Sequence, residues 1–195
     1  MITIKKASPS DAAKLLDFMK LIGGETDNLT FDGAGLPFSV EDEAAYIASM
    51  ENSRDNLMLL AKDGETIVGN ASLSRMPRRM SHRGDFSVAV AKDYWNKGIG
   101  RALLKKVIAF AKENDFSVID LQVRSDNHGA IHLYEKYGFR KIGSHPAFFN
   151  INGESIAFDY MYLHINDPNL RLCSEKTVNH LRFSHGLAIE KRSGL

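Results

Sequence analysis

The run Tyr94-Trp95-Asn96-Lys97-Gly98-Ile99-Gly100-Arg101-Ala102-Leu103-Leu104 constrains this chain more than any other. It follows a strand-like stretch, Phe86-Ser87-Val88-Ala89-Val90, and leads straight into helical spacing. Glycines at 98 and 100 permit a tight turn and a close approach of backbone to a ligand, because no Cβ intervenes. The first amides of the helix lack internal partners and lie at the positive end of its dipole. Such a turn suits a phosphate or pyrophosphate.

Several cofactor classes use a glycine turn of this kind, and two fit poorly. A nucleoside-triphosphate loop requires Gly-Lys-Ser/Thr, which is absent. A dinucleotide fingerprint requires a third small residue where Leu103 stands. Asp120 lies about 20 residues on, as that fingerprint asks, but it alternates within a later strand pattern. Five residues, Ala91 to Trp95, also separate the strand from the glycines.

With 195 residues the chain has the length of about one domain with a substantial core. A net charge of +1 gives no reason to expect bulk binding to nucleic acid or membrane. The single cysteine, Cys173, lies far from either motif and argues against disulfides, a thiolate zinc site or an acyl-cysteine intermediate. His82, His128 and His132 have no ligand spacing, so no metal is expected. No signal-peptide core and no long apolar run are present, and the expectation is a cytoplasmic protein.

Along the chain, Ile2 to Lys6 reads as a strand, and Ser8-Pro9-Ser10-Asp11 opens a helix. Residues 23 to 38 read as a Gly-rich loop, and Ser39 with Asp42 or Glu43 as a capping box for a helix to Met50. Strands follow at Leu57 to Ala61 and Thr66 to Arg75 about a Lys62-Asp63-Gly64-Glu65 turn, then a basic loop, then a strand from Gly84 to Ala91. After the glycine turn come a helix to Glu113, a strand at Val118 to Val123, a helix from Asn127 to Tyr137, and a closing hairpin about Asn152-Gly153. The order β-α-α-β-β-β-α-β-α-β-β describes an α/β fold with helices packed on a mixed, mostly antiparallel sheet. Residues 166 to 195 show only weak periodicity and are read as a C-terminal extension without a catalytic role.

The second informative run is Asn127-His128-Gly129-Ala130-Ile131-His132-Leu133-Tyr134-Glu135-Lys136-Tyr137-Gly138-Phe139. Taken with the glycine turn and the element order, it resembles the GNAT superfamily of acyl-CoA-dependent N-acetyltransferases over residues 1 to 165. The resemblance implies a GNAT-like fold and acetyl-CoA as cosubstrate. It implies that the backbone of Val88, Ala89 and Val90 pairs with the pantetheine arm. The amides of Trp95, Asn96, Lys97, Gly98, Ile99, Gly100 and Arg101 would cradle the pyrophosphate. Asn127 would bond the pantetheine or pyrophosphate region, and Tyr134 would lie beside the sulfur. Trp95 departs from the family pattern, which commonly has Gln or Arg there.

Attack of an amine on a thioester needs a neutral amine and a protonated or stabilised leaving thiolate. A lysine amine ionises near about 10.4 and an α-amine near about 8, so a base or desolvation must help. Tyr134 is the candidate general acid. The base is open between Asp85, at the start of the strand bearing Val88, then Glu25, and a water relay. Glu25, Phe31 and Phe148 are candidate acceptor contacts, with Phe38 and Phe149 as further aromatic candidates. The leading acceptor is the primary amine of a small molecule, attacking directly in a ternary complex. The alternatives are a protein N-terminus or lysine, and a non-catalytic acetyl-CoA sensor. Pairing of the closing hairpin across a two-fold axis would give a homodimer.

Overall fold

The computed structural model describes residues 1–165. The expected extension beyond residue 165 lies outside the described residues. Strand β1 (Ile2–Lys6) leads through a 3₁₀ turn at Pro9–Asp11 into α1 (Ala12–Glu25), and α2 spans Val40–Met50. The Ser39 hydroxyl caps α2 by accepting from the Asp42 amide at 3.0 Å, as the capping pattern predicts. Strands β2 (Asn56–Asp63), β3 (Thr66–Arg75) and β4 (Arg83–Val90) then form an antiparallel meander. Helix α3 (Ile99–Glu113) crosses to β5 (Val118–Arg124), and α4 (His128–Lys136) precedes the hairpin β6 (Arg140–Ile151) and β7 (Glu154–His164). The element order is the one read from the sequence. Helix α1 runs three residues, Gly23 to Glu25, into the stretch expected to be loop, and a 3₁₀ turn at Arg78–Met80 interrupts the basic loop.

The seven strands lie in the order β1-β2-β3-β4-β5-β7-β6, with β7 inserted between β5 and the edge strand β6. All pairings are antiparallel except β4 with β5. Alternation along each strand feeds two cores, one on each face of the sheet. Leu103, Leu104 and Val107 of α3 join Phe86, Ile119, Leu121 and Tyr134 on one face. Leu15, Phe18 and Ile22 of α1 join Ile47, Met58 and Leu60 on the other.

The feature that positions the site is the parallel pair. β4 and β5 stay in register only from Arg83↔Val118 to Asp85↔Asp120. Beyond that point they splay, so the last part of β4 has a partner on one side only. Ala91 N–H donates to Val68 O at 3.0 Å, and Met76 N–H to Arg83 O at 2.9 Å. In an antiparallel ladder this makes Ala89/Asn70 a hydrogen-bonded pair and turns the amides and carbonyls of Val88 and Val90 towards the splay.

Candidate acetyl-CoA and acceptor site

A cavity of about 760 Å³ opens into the splay. Its lining includes Val88, Ala89 and Val90, the whole run from Trp95 to Arg101, Asn127 and Tyr134. Every residue expected to hold the cofactor is therefore brought to one surface. The turn is built by left-handed backbone at Asn96 (φ 60°) and Gly98 (φ 80°), the second being the N-cap of α3. The first intrahelical bond is Ala102 N–H to Gly98 O at 3.0 Å. Among the described residues, the amides of Asn96 to Arg101 have no protein acceptor. These orphan donors at a helix start suit an anion.

Gly100 tests whether the surface fits a ligand. Its φ is not positive, and a Cβ placed there would meet nothing nearer than Leu133 Cδ2 at 3.8 Å. The protein's own packing does not demand glycine at this position. The space it leaves belongs to the cavity, and a pyrophosphate lying against the amides would use it.

Trp95 takes a different part from the one expected. Its amide donates to Lys92 O at 3.1 Å and is not free for a phosphate. Its indole Nε1 donates to Val90 O at 2.6 Å, closing off one of the backbone acceptors that face the splay. Lys97 and Arg101 line the cavity as expected, with Lys97 Nζ 4.7 Å from the centre of the Tyr94 ring.

Asn127 caps α4, its Oδ1 accepting from Ala130 N–H at 3.2 Å. That aims the helix so that Tyr134, about two turns later, is buried against Phe86 (ring centres 6.2 Å apart, nearly perpendicular) and Phe139 (5.6 Å). Its hydroxyl has no hydrogen-bond partner among the described residues, and Tyr134 lines the cavity. Burial raises its pKa well above the ordinary tyrosine value, so the proton stays in place across the neutral range.

Asp85 lies at the vertex of the splay, beside Asp120. Since Phe86 packs on Tyr134, alternation sends Asp85 to the opposite face of the sheet. Asp85 remains exposed at its surface, yet the protein packed around it and, secondarily, the charge of Asp120 raise its pKa, while Asp120 itself is held by Arg83 Nε at 2.8 Å. Asp85 lines neither this cavity nor the one described next. Glu25 is also elsewhere: its Oε2 accepts from Lys92 N–H at 2.8 Å, tying the end of α1 to the approach of the glycine turn.

A second cavity of about 680 Å³ lies between the loop after α1 and the tip of the β6–β7 hairpin. Thr26 and Leu29 line both cavities. Phe31 and Phe148 line it, as does Phe149, whereas Phe38 is exposed and outside it. Phe148 stacks on Phe158 with ring centres 4.6 Å apart.

Residues 27–139 match the family model described as the acetyltransferase (GNAT) family. The chain belongs to the GNAT family. The acetyltransferase of GNAT family from Streptococcus pneumoniae superposes with a TM-score of 0.82 at 31% identity, covering 85% of this chain and 100% of that one. Among curated GNAT relatives, N-alpha-acetyltransferase RimI of Mycobacterium tuberculosis is 34% identical over 94 residues, 48% of this chain and 58% of that protein. L-amino acid N-acetyltransferase AaaT of Escherichia coli is 35% identical over 102 residues, 51% of this chain and 62% of that protein. The match thus spans less than two thirds of either curated protein. Acetyl-CoA is the cosubstrate typical of GNAT proteins, and the cradle has the chemistry it needs. No helix among the described residues is long and apolar enough to cross a membrane.

Two residues in or near the first cavity escaped sequence reasoning, and the second of them lines neither cavity. Arg124 lines the first cavity, its guanidinium held by both oxygens of Asp126 at 2.7 and 3.0 Å. Asp159 on β7, 3% exposed, accepts from Ser125 Oγ at 2.6 Å and Ser144 Oγ at 2.8 Å, and pairs with Lys141 Nζ at 2.8 Å. It thereby fixes the junction between β5 and α4. Nothing local in the sequence distinguishes Asp159, because its partners come from two distant segments, Ser125 after β5 and Lys141 with Ser144 on β6.

Proposed function

We propose that this GNAT protein acetylates the primary amine of a small molecule, with acetyl-CoA and acceptor bound together. The observation that carries the reading is the pair of adjoining cavities. One presents an anion cradle and a protonated tyrosine, and the other lies beside it, with Thr26 and Leu29 in both linings. Both volumes fall in the range usual for small-molecule sites.

When bound, acetyl-CoA supplies an acyl thioester to the splay. The amides of Asn96 to Arg101 would hold its pyrophosphate, with Lys97 and Arg101 adding positive charge. The edge of β4 at Val88, with the Val90 amide, would hold the pantetheine, and Asn127 would border it. Tyr134 keeps a proton at Oη where a leaving sulfur would need one. For the base, Asp85 is the reading favoured here: its raised pKa makes it a stronger proton acceptor than an ordinary carboxylate, acting through water because it lines neither cavity.

A protein N-terminus is the second reading, favoured by the similarity to a protein named N-alpha-acetyltransferase. One experiment separates the two: acetyl-CoA binding by calorimetry, with thiol release followed against small amines and N-terminal peptides. Release with small amines supports the proposal. Release with peptides alone supports the second reading, and binding without release would indicate a sensor. Absence of binding would remove the cofactor assignment.

A further inference from the structure

The two adjoining cavities have opposite electrostatic character. The first is lined by Lys97 and Arg101, with Arg124 already paired to Asp126, and no carboxylate is among its lining residues. The second is lined by Asp27 and Asp32, and no Lys, Arg or His is among its lining residues. Neither Asp27 nor Asp32 forms an ion pair among the described residues. Asp32 is exposed, and its Oδ1 accepts from Ala34 N–H at 2.8 Å.

The apolar part of the second cavity is aromatic, formed by Phe31, Phe148 and Phe149. Ring faces attract organic cations, and methylene chains pack on the same surfaces. Phe148 and Phe149 are themselves fixed against Phe158, at 4.6 and 4.3 Å between ring centres, so the wall is preformed. A carboxylate-bearing acceptor would meet these two like charges, and the lining itself holds no cation, although the stem of Lys20 packs on Gly35 at the margin.

We propose that the second cavity selects acceptors carrying another cationic group beyond the amine that is acetylated, joined to it by an apolar chain: a diamine or polyamine. The proposal rests on the small-amine reading above and deepens it. The reacting amine would lie at the Tyr134 end, the chain would pass Thr26 and Leu29, and the distal cation would lie among Asp27, Asp32 and the phenylalanines. Asp27 and Asp32 are exposed, so the attraction is modest and screened by salt.

The test is an isosteric series sharing one reacting amine: pentylamine, δ-aminovalerate and cadaverine, with spermidine as a longer cation. Per reacting amine, of which cadaverine has two equivalent ones, kcat/KM for cadaverine is expected to exceed that for pentylamine by about fivefold, and that for δ-aminovalerate by more. In the double variant Asp27→Asn, Asp32→Asn the cadaverine-to-pentylamine ratio per amine is expected to fall towards one. Asparagine at position 32 keeps the acceptor for the Ala34 amide, so the loop retains its turn. Calorimetric titration of cadaverine into the protein saturated with CoA should show the same loss of affinity without any turnover. Equal rates across the series, a preference for δ-aminovalerate, or a preference that survives the double variant would overturn this inference while leaving small-amine acetylation standing. Acetyl-CoA binding with no transfer to any of these amines, but transfer to peptides, would remove both.

Discussion

At the scale of single residues, the two glycines of the turn have different reasons to be glycine, and this makes them separable by mutation. Gly98 adopts φ 80°, where an L side chain costs about 1–2 kcal/mol whatever surrounds it. Gly100 is in ordinary helical backbone with open space at its Cβ position. Gly100→Ala should therefore raise the stability of the ligand-free protein by about 0.5 kcal/mol, because glycine is a poor helix former. It should weaken acetyl-CoA binding at least about tenfold, roughly 1.4 kcal/mol, by filling the cradle. Urea denaturation and calorimetry read the two effects independently, and unchanged affinity would mean that the pyrophosphate lies elsewhere. Tyr134→Phe keeps the ring that packs on Phe86 and Phe139 and removes only the proton donor. Its kcat should fall about a hundredfold or more with the dissociation constant of acetyl-CoA held within about twofold. An unchanged kcat would remove the general-acid role. Asp85 gives a pH test: with its pKa raised, the rate should climb with pH as the carboxylate ionises, and Asp85→Asn should abolish that limb. A limb retained in the variant would assign it to the acceptor amine.

At the scale of elements, the junction of β5 with α4 hangs on Asp159. Burial alone would raise the pKa of its carboxyl. The hydrogen bonds from Lys141, Ser125 and Ser144 outweigh burial and hold it below the ordinary value. A lowered native pKa means that the stabilisation is complete above the unfolded-state value and is lost as pH falls through the native one. Asp159→Asn should thus cost about 2 kcal/mol at neutral pH, and the difference from wild type should shrink below about pH 4. Denaturation curves at neutral and acidic pH check this, and a difference independent of pH would show that the charge is not the source. The same example marks where sequence reading stops. The glycine turn, the Ser39 cap and the helix carrying Tyr134 were legible because each is a local pattern of spacing or capping. The splay of β4 from β5, the indole of Trp95 on Val90 O, the Glu25 carboxylate on the Lys92 amide and the Asp159 cluster were not. The splay, the Glu25 contact and the Asp159 cluster depend on the register of segments far apart in the chain, which periodicity does not encode, and the Trp95 contact depends on a side-chain direction that spacing does not specify.

At the scale of the molecule, the sheet is interrupted where it would otherwise be most regular. The β1–β4 and β5–β7 halves pair through only the short Arg83–Asp85 segment of β4, and helices α3 and α4 flank the gap. A ligand arm in the splay would act as a partial strand between the halves, so binding should be visible as protection of particular amides. The register makes this specific. The amides of Val88 and Val90 face the splay, whereas that of Ala89 is already committed to β3. Hydrogen exchange followed by NMR should show Val88 and Val90 slowed by CoA beyond the general stabilisation, and Ala89 slowed only by that general amount. The general amount is fixed by mass action, about 2.7 kcal/mol at a hundredfold excess over the dissociation constant. Trp95, the one tryptophan of the chain, gives a parallel optical signal, since its indole borders the same cavity. CoA should change its emission with the same midpoint as the calorimetric titration. Alternating protection together with that signal would mean that the arm runs along β4 as a strand does. Equal slowing of Val88, Ala89 and Val90 would mean that it binds without pairing, and that the splay is a cleft rather than a vacant ladder.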